Sequence, residues 1–592
     1  MRFARFACLL LLSLGPSWAV GKEPLHKQPS RRGPVALAQV ERMLLVANGH
    51  RGTISMIDAK AGRVVSETAV AKRLTDLAVL PGGEWLLVTD DEANRLSLVH
   101  RDGQVLKVQH HDPVPTGPVS ICVARDGKFC AVASLWARQV TLFDTSQPNQ
   151  GLRGFSPINL PFAPRLQWLN TTGTRLVVAD SHGGRLAVID TVTRKVISLR
   201  RLDGHNLRGM ATSPDGKQLL VTHQMLTSFV PTVRQRVFWG TVMGNVVKAI
   251  NLDDLLTPRQ EQRTDSSREI DIAHWGLYPL GEPGNAAGDP GVIHVTPGGK
   301  TLVALGGVHE VALRGTPRQS FRRIKVGRRP TALIVSADES LAYVVNTSDD
   351  TVSVIDLDDA QVSKTISLGP RAKLMPADKG EQLFYDAKLS LDGWYSCNSC
   401  HSDGHTNGLT NDNFSDATEG TPKQIPTLRG VGQTGPWTWT GGRPKLHESI
   451  RASILSTMQA KKKSSASDDN VRAIAAYLRT LPPAPSLTVA RGTVDQVARQ
   501  RGLAVFKSQD CGECHKSPRF TTTEAYDVGL HDEAGAKRFN PPSLLGVSQR
   551  GPLFHDGRAA TLEEVFSKVR HQIDKRLSQK DTGDLVEYLR SL

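Results

Sequence analysis

The residues with the clearest chemistry are two copies of one pentapeptide, Cys397-Asn398-Ser399-Cys400-His401 and Cys511-Gly512-Glu513-Cys514-His515. In C-x-x-C-H each thiol can form a thioether with a haem vinyl group, and the adjacent imidazole is placed to bind the iron from the proximal side. A structural zinc half-site, a redox dithiol and a disulfide are the alternatives for such Cys pairs. Zinc would draw the two pairs together and needs no His after each, and a redox dithiol wants a βαβ context that this sequence lacks. The spacing predicts two covalently bound c-type haems, attached at Cys397, Cys400, Cys511 and Cys514, with His401 and His515 as iron ligands.

Thioether chemistry of this kind fits an exported protein, and the N-terminus reads that way. Arg2 and Arg5 precede an apolar run from Phe6 to Leu14, and Ser17-Trp18-Ala19 supplies small residues at the −3 and −1 positions. Residues 1–19 therefore read as a cleaved secretory signal that would remove Cys8, and the expected location is a bacterial periplasm. No later stretch is apolar for long enough to span a bilayer. Cys122 and Cys130 lie symmetrically about the turn Arg125-Asp126-Gly127 and are expected to face each other across two strands, as a disulfide or as two buried thiols.

The elements that must position the two motifs come in two kinds. Before residue 370, a turn, a β-branched strand, a polar gap and a second strand recur at Pro81-Gly82-Gly83, Arg125-Asp126-Gly127, Thr171-Thr172-Gly173, Pro214-Asp215-Gly216, Pro297-Gly298-Gly299 and Ala337-Asp338. A period of about 40–46 residues is that of a four-stranded propeller blade. Adding the unit at Met43 to Asp58 predicts seven blades, with one doubled interval explained by a polar insertion from about Leu255 to Pro290, a surface loop able to cover the helical region or a partner. After Gly369 the pattern becomes helical and repeats once. Leu428-Arg429-Gly430-Val431-Gly432-Gln433-Thr434-Gly435-Pro436 matches Leu544-Leu545-Gly546-Val547-Ser548-Gln549-Arg550-Gly551-Pro552, and Tyr477-Leu478-Arg479-Thr480-Leu481 matches Tyr588-Leu589-Arg590-Ser591-Leu592. Each copy reads as a small cytochrome c fold, with Pro482-Pro483-Ala484-Pro485 as a stiff linker. The expected architecture is multidomain: an all-β seven-bladed propeller over 36–369, then two all-α cytochrome c folds over 375–482 and 488–592.

The formal net charge of +15 comes from 73 Lys and Arg against 58 Asp and Glu in 592 residues. The basic residues are spread thinly with no aromatic-basic stripe, which argues against nucleic acid and leaves a bias towards acidic partners, here a redox partner protein.

The propeller repeats resemble the YVTN family of seven-bladed propellers, which implies a fold and a binding scaffold but no chemistry. Residues 375–592 resemble the bacterial dihaem cytochrome c peroxidases. The resemblance is carried by Leu389-Ser390 before the first haem motif, Trp439-Thr440-Gly441-Gly442-Arg443 after it and Phe554-His555-Asp556-Gly557-Arg558 after the second. It implies that Trp439 sits between the haems and relays electrons. It also implies a Met on the helix after the second motif, where this chain has Val569, so His571 just beyond becomes the candidate ligand for the second iron, with a solvated His at a helix end as the alternative. At the first haem the family has a distal His or an open site lined by a glutamate, and here Ala417 and Gln459 fall at those positions. A glutamine amide cannot take a proton from one peroxide oxygen and return it to the other. Met458, beside Gln459, is the candidate thioether ligand for the first iron, or else a core filler. His405 is too constrained by its nearness to His401 to reach the opposite face. The resemblance further implies a calcium ion between the haem domains, near Asn411, Asn413 and Pro552, with Arg550 replacing a usual neighbour. Two functions follow: an enzyme that activates peroxide or oxygen, with Trp439 and Gln459 near the chemistry and the propeller presenting a partner or substrate, or an electron-transfer cytochrome with two six-coordinate haems.

Overall fold

Strands such as Met43–Asn48 and Leu341–Asn346 are apolar along nearly their whole length and buried on both faces. Such runs need cover on both sides, and stacking sheets in a ring provides it. The computed structural model describes residues 31–257, 269–272, 276–316, 319–416, 418–573 and 577–592. It shows seven antiparallel sheets in sequence order, with the first strand of each packed against the first strands on either side. The expected seven blades are there, and Pro begins the first strand in five of them, at Pro34, Pro118, Pro164, Pro290 and Pro330. A residue with no N–H is tolerated at the first position of a strand, which makes this a repeat marker. The signal segment 1–19, Ala417 and the middle of the long insertion lie outside the described residues.

The ring closes without sharing a strand between its ends. Leu44, Val46 and Ile57 of the first blade pack against Tyr343, Val345 and Val352 of the last. The Asp350 carboxylate accepts the Arg32 N–H at 3.0 Å and the Gly33 N–H at 2.9 Å, which ties the incoming chain to the final blade. The doubled interval is an enlarged fifth blade: Leu277–Pro279 joins as its outer strand after the insertion, and Glu269–Asp271 adds to blade four beside Lys195–Arg201.

Cys122 and Cys130 do not face each other. The register pairs Cys122 with Ala131 and Cys130 with Val123, because the turn is centred between Asp126 and Gly127 instead of on Asp126. The two thiols therefore point to opposite faces of the blade, Cys122 towards blade four and Cys130 towards blade two, and both are free. Burial pushes the Cys122 thiol up to about 12, consistent with small hydrophobes.

The helical region repeats one device twice. The leading helix Pro376–Phe384 crosses the closing helix Asp468–Thr480, and Gln496–Ser508 crosses Gln579–Arg590. A glycine sits at each crossing: a Cβ on Gly380 would lie 1.9 Å from the Ala473 carbonyl oxygen, and one on Gly502 1.9 Å from that of Asp584. Beside each crossing an aromatic pair packs at 5.3 Å, Phe384 with Tyr477 and Phe506 with Tyr588. No described helix is long and apolar enough to cross a membrane.

The propeller grips the first of these units at the peptide carrying its haem motif. Ser396 Oγ and Ser399 Oγ donate to the two oxygens of the buried Asp289 carboxylate at 2.5 and 2.6 Å. The Ser399 carbonyl accepts from His205 Nε2 at 2.9 Å and Asn206 Nδ2 at 3.0 Å. Gln224 links Asn206, Asn245 and the Ser399 hydroxyl, and Asn245 Nδ2 reaches the Trp394 carbonyl at 2.9 Å. Asp403, just after the motif, takes Arg165 at 2.5 Å and Arg208 at 3.0 Å; these guanidinium groups overcome the burial that would raise its pKa and hold the carboxyl far below the usual carboxylate range. The second unit leans on blade three, where Gln549 bonds Arg138 and the Trp136 carbonyl, and His405 Nε2 donates to the Gln549 carbonyl at 3.0 Å.

Two outcomes are expected. Gly380→Ala and Gly502→Ala should each destabilise their own unit by about 2 kcal/mol through overpacking at the crossing, read as a lower denaturant midpoint with the propeller transition unchanged. The second concerns pH. Burial pushes His205 and His405 down to about 3, so between that value and about 6.5 the unfolded chain binds protons that the folded chain refuses. Stability is then complete above about pH 6.5 and falls by about 1.4 kcal/mol per pH unit per imidazole below it. Thermal denaturation from pH 7 to 4.5 should show this slope, reduced by one imidazole in His205→Gln, which keeps a donor for the Ser399 carbonyl; an unaltered slope would remove His205 from the account.

Candidate haem sites

Short capped turns present the cysteines. Ser396 caps the single turn Cys397–Cys400, receiving the Ser399 N–H while Ser399 Oγ accepts from the Ser396 N–H. Cys397, Cys400 and His401 all face a cavity of 570 Å³, a size suited to a large cofactor. His401 Nδ1 meets the Pro426 carbonyl at 2.9 Å. A carbonyl only accepts, so Nδ1 carries the hydrogen and Nε2 keeps a free lone pair, the tautomer that binds a metal. Loss of bulk water pushes His401 down to about 4, so it is neutral at pH 7.

The second motif repeats the arrangement. His515 Nδ1 meets the Phe520 carbonyl at 3.1 Å, and burial likewise pushes the imidazole down to about 4. Cys511 packs against the apolar cluster of Phe506, Val547, Leu562, Leu585 and Tyr588.

Met458 is buried and lines the first cavity together with His401. It follows a π-helical turn, Ser453–Thr457, and Leu391 N–H donates to its carbonyl at 2.9 Å. Gln459 is directed elsewhere: its Nε2 donates to the carbonyls of Thr232 in the propeller and Ser456 at 2.9 and 2.6 Å, and it is absent from the cavity wall. His571 lies close enough to His515 for its charge to lower the latter's pKa. Its ring meets Phe554 edge-on at 5.3 Å, and its Nδ1 is buried with no protein partner. His405 has both nitrogens engaged, with Thr427 Oγ1 and the Gln549 carbonyl.

Trp439 stands in the wall of the first cavity at the seam between the units. Its Nε1 donates to the Gln424 carbonyl at 2.7 Å, and its ring meets His555 at 6.5 Å, edge-on. The two residues occupy matching places in the duplicated segment after Gly435-Pro436 and Gly551-Pro552.

Two features of the site escape a reading of the sequence. The guanidinium Nε atoms of Arg429 and Arg550 are buried with no protein partner, and both residues line the first cavity. Buried cationic donors left open in a cavity wall call for anionic oxygens on whatever fills it. Two thiols, a neutral imidazole with a free lone pair and two waiting guanidinium donors fit a haem with its propionates. The second feature is the excursion between Gln218–Leu226 and Met243–Asn251. Its Val237, together with Val242 and Met243, belongs to the same core as Met458, Ile450 and Ile454, and Gly240 passes beneath the Trp394 ring. The propeller thereby backs the core behind the first cavity, whose own lining comes from the helical region.

Comparison with known proteins agrees with this geometry. A family described as di-haem cytochrome c peroxidase matches residues 377–499, and one described as YNCE-like beta-propeller matches residues 52–154. The methylamine utilization protein MauG of Methylophilus methylotrophus is 27% identical over 281 residues, which are 37% of this chain and 82% of that protein. Cytochrome c551 peroxidase of Nitrosomonas europaea is 26% identical over 36% of this chain and 79% of its own length. Hydrazine synthase subunit gamma of Kuenenia stuttgartiensis is 28% identical over 36% of this chain and 76% of its own length. The chain joins a propeller of the YNCE-like kind to a domain of the di-haem cytochrome c peroxidase kind.

Proposed function

We propose that this protein is a periplasmic dihaem c-type cytochrome whose resting state is built for electron transfer, with each helical unit a cytochrome c fold. Cys397 and Cys400 would hold one haem and Cys511 and Cys514 the other, with His401 and His515 as proximal ligands. A bound haem supplies iron that changes oxidation state by one electron and accepts a ligand on its far side.

The observation that carries the reading is what the first cavity offers opposite chemistry of this kind. Met458 supplies a buried thioether. The Asp416 carboxylate in the wall is bound to Lys423, and Gln459 turns its amide towards Thr232. Among the described residues lining the cavity, the one carboxylate is Asp416 and the one imidazole is the proposed ligand His401, so no free base is left there to shuttle a proton between two peroxide oxygens, as heterolysis requires. His571, with its open Nδ1 near His515, supports a second imidazole ligand for the other iron. Trp439 and His555 meet between the units, which supports an aromatic relay across the seam. The partner is a redox protein, with acidic ones favoured by the charge of the chain.

A second reading, activation of peroxide or oxygen at the first site, is favoured by the π-helical turn that carries Met458. Such turns are uncommon and recur at functional sites, and a shift there would withdraw the thioether.

Low-temperature electron paramagnetic resonance separates the two. The oxidised holoprotein is expected to show two low-spin ferric signals that remain free of high-spin iron after one-electron reduction. Met458→Ala should convert one of them to high spin and open it to cyanide. High-spin iron in the half-reduced wild-type protein would favour peroxide or oxygen chemistry, and two low-spin signals in Met458→Ala would remove Met458 as a ligand.

A further inference from the structure

The seam between the two helical units contains a buried ammonium group that joins them. Lys423 Nζ lies 3.0 Å from Asp416 Oδ2 of the first unit and 3.2 Å from Asp532 Oδ2 of the second. Its side chain is 4% exposed, against 8% for Asp416 and 0% for Asp532. The ammonium also donates to Thr421 Oγ1 at 2.9 Å and lies 3.3 Å from both Thr418 Oγ1 and the Thr421 carbonyl, so it is surrounded by oxygens. Asp532 in turn accepts the Ala536 N–H at 2.8 Å, which fixes the loop presenting the carboxylate. A lysine this deeply buried is rare unless paired, and here the pairs come from both sides of the seam.

Of the oxygens around which a calcium ion was expected, those of Pro552 and Asn413 already accept hydrogen bonds. The Pro552 carbonyl accepts Gln424 Nε2 at 2.8 Å, on the residue next to Lys423. Asn413 Oδ1 accepts from the Ser415 N–H, the Ser415 hydroxyl and Thr457 Oγ1, and the Arg550 guanidinium is turned to the Ser543 carbonyl. Calcium needs six to eight oxygen ligands, usually with carboxylates among them. Among the described residues no group of three or more His, Cys, Asp or Glu could hold a metal ion. The residues present do not fit calcium.

We propose that the Lys423 ammonium is the resident cation of this seam, a covalently tethered substitute for a divalent ion, so that the two units stay joined without metal. Two carboxylates facing each other across a seam repel and need a positive charge between them. A free ion can be lost to chelators or dilution, whereas a side chain cannot. The relative placement of Trp439 and His555 is then independent of calcium. A corollary is that removing the lysine side chain leaves two buried carboxylates and a cavity, which is a site for a hard divalent cation. The inference stands apart from the ligands of either iron and from the choice between carrier and catalyst.

The test uses purified full-length holoprotein and calcium chloride as the probe. After dialysis against EGTA, the wild-type protein should contain no stoichiometric calcium by metal analysis, and its thermal midpoint and the potentials of both haems should not move when calcium is added back. Lys423→Ala should bind one calcium ion per chain by isothermal titration calorimetry, and millimolar calcium should raise its thermal midpoint by at least about 3 °C. Lys423→Ala/Asp532→Asn should lose that binding, and Lys423→Arg should behave like the wild type. Stoichiometric calcium in the wild type, or a wild-type midpoint that falls under EGTA, would overturn the proposal. So would a folded Lys423→Ala that neither binds nor responds to calcium. If Lys423→Ala does not fold, Lys423→Gln, titrated in the same way, takes its place and the wild-type chelation result still decides.

Discussion

The rest of this structure depends on the grip of the propeller on one tetrapeptide turn. Cys397–Cys400 is too short to hold its own shape in water, since one helical turn fixes several dihedrals for a single hydrogen bond. Here the turn is held from outside, by the Asp289 carboxylate on two serine hydroxyls and by His205 and Asn206 on the Ser399 carbonyl. Remove that grip and the two thiols and the imidazole lose their common orientation towards the cavity. The propeller is therefore part of what positions the first Cys-x-x-Cys-His motif.

Two partly buried carboxylates at this interface show how the same fold treats charge in opposite ways. Asp403 is met by two arginines, so its ionised form is favoured and the ion cluster pins the residue after the motif. Asp289 has hydroxyl donors, with Arg208 and Arg329 acting on it more weakly. Burial raises its pKa, and the two serine hydroxyls only partly offset this. A carboxylate of this kind is costly to bury and is retained for geometry: its two oxygens span the two serines that start and end the turn. Blades two and five open without the proline of the others, with Leu74 and with His205-Asn206, and in the fifth the replacement supplies donors to the Ser399 carbonyl.

Repetition is what made so much of the molecule legible. Six turns, with one doubled interval, and the unit at Met43 define the blades, and two matched segments after Gly369 define the helical pair, because stacking and helix crossing demand the same residue types each time. Two glycines at equivalent crossings are such a demand. Cys122 and Cys130 were less legible, since a half-residue shift in the centre of one turn moves a side chain to the other face of the strand. The excursion of 227–242 follows no repeat, so nothing in its spacing announces that it packs into the core behind a cavity whose lining begins at Phe384. Arg429 and Arg550 are likewise ordinary arginines until their unpartnered Nε atoms are seen in a cavity wall. Lys423 reads as one of many surface lysines, and only the fold brings Asp416 and Asp532 to it.

The same pentapeptide ends up in two different environments. Asn398 and Ser399 are 7% and 0% exposed beneath the propeller, whereas Gly512 and Glu513 face solvent. On the proposed reading, a partner protein can approach the second haem edge without displacing anything, but the corresponding approach to the first is closed by blades four to six. On that reading electrons would enter at the second site, and His555 and Trp439 would line the way across the seam to the first. A seam on that route has to keep two aromatic rings in register whatever the ionic conditions outside, because transfer across a contact of several ångströms is sensitive to small displacements. An ion pair in the interior is suited to this. It is screened far less than one at the surface, and its cation is part of the chain. The two units are similar, and the differences between them, Trp439 against His555 and a buried turn against an exposed one, would on that reading give the pair a direction.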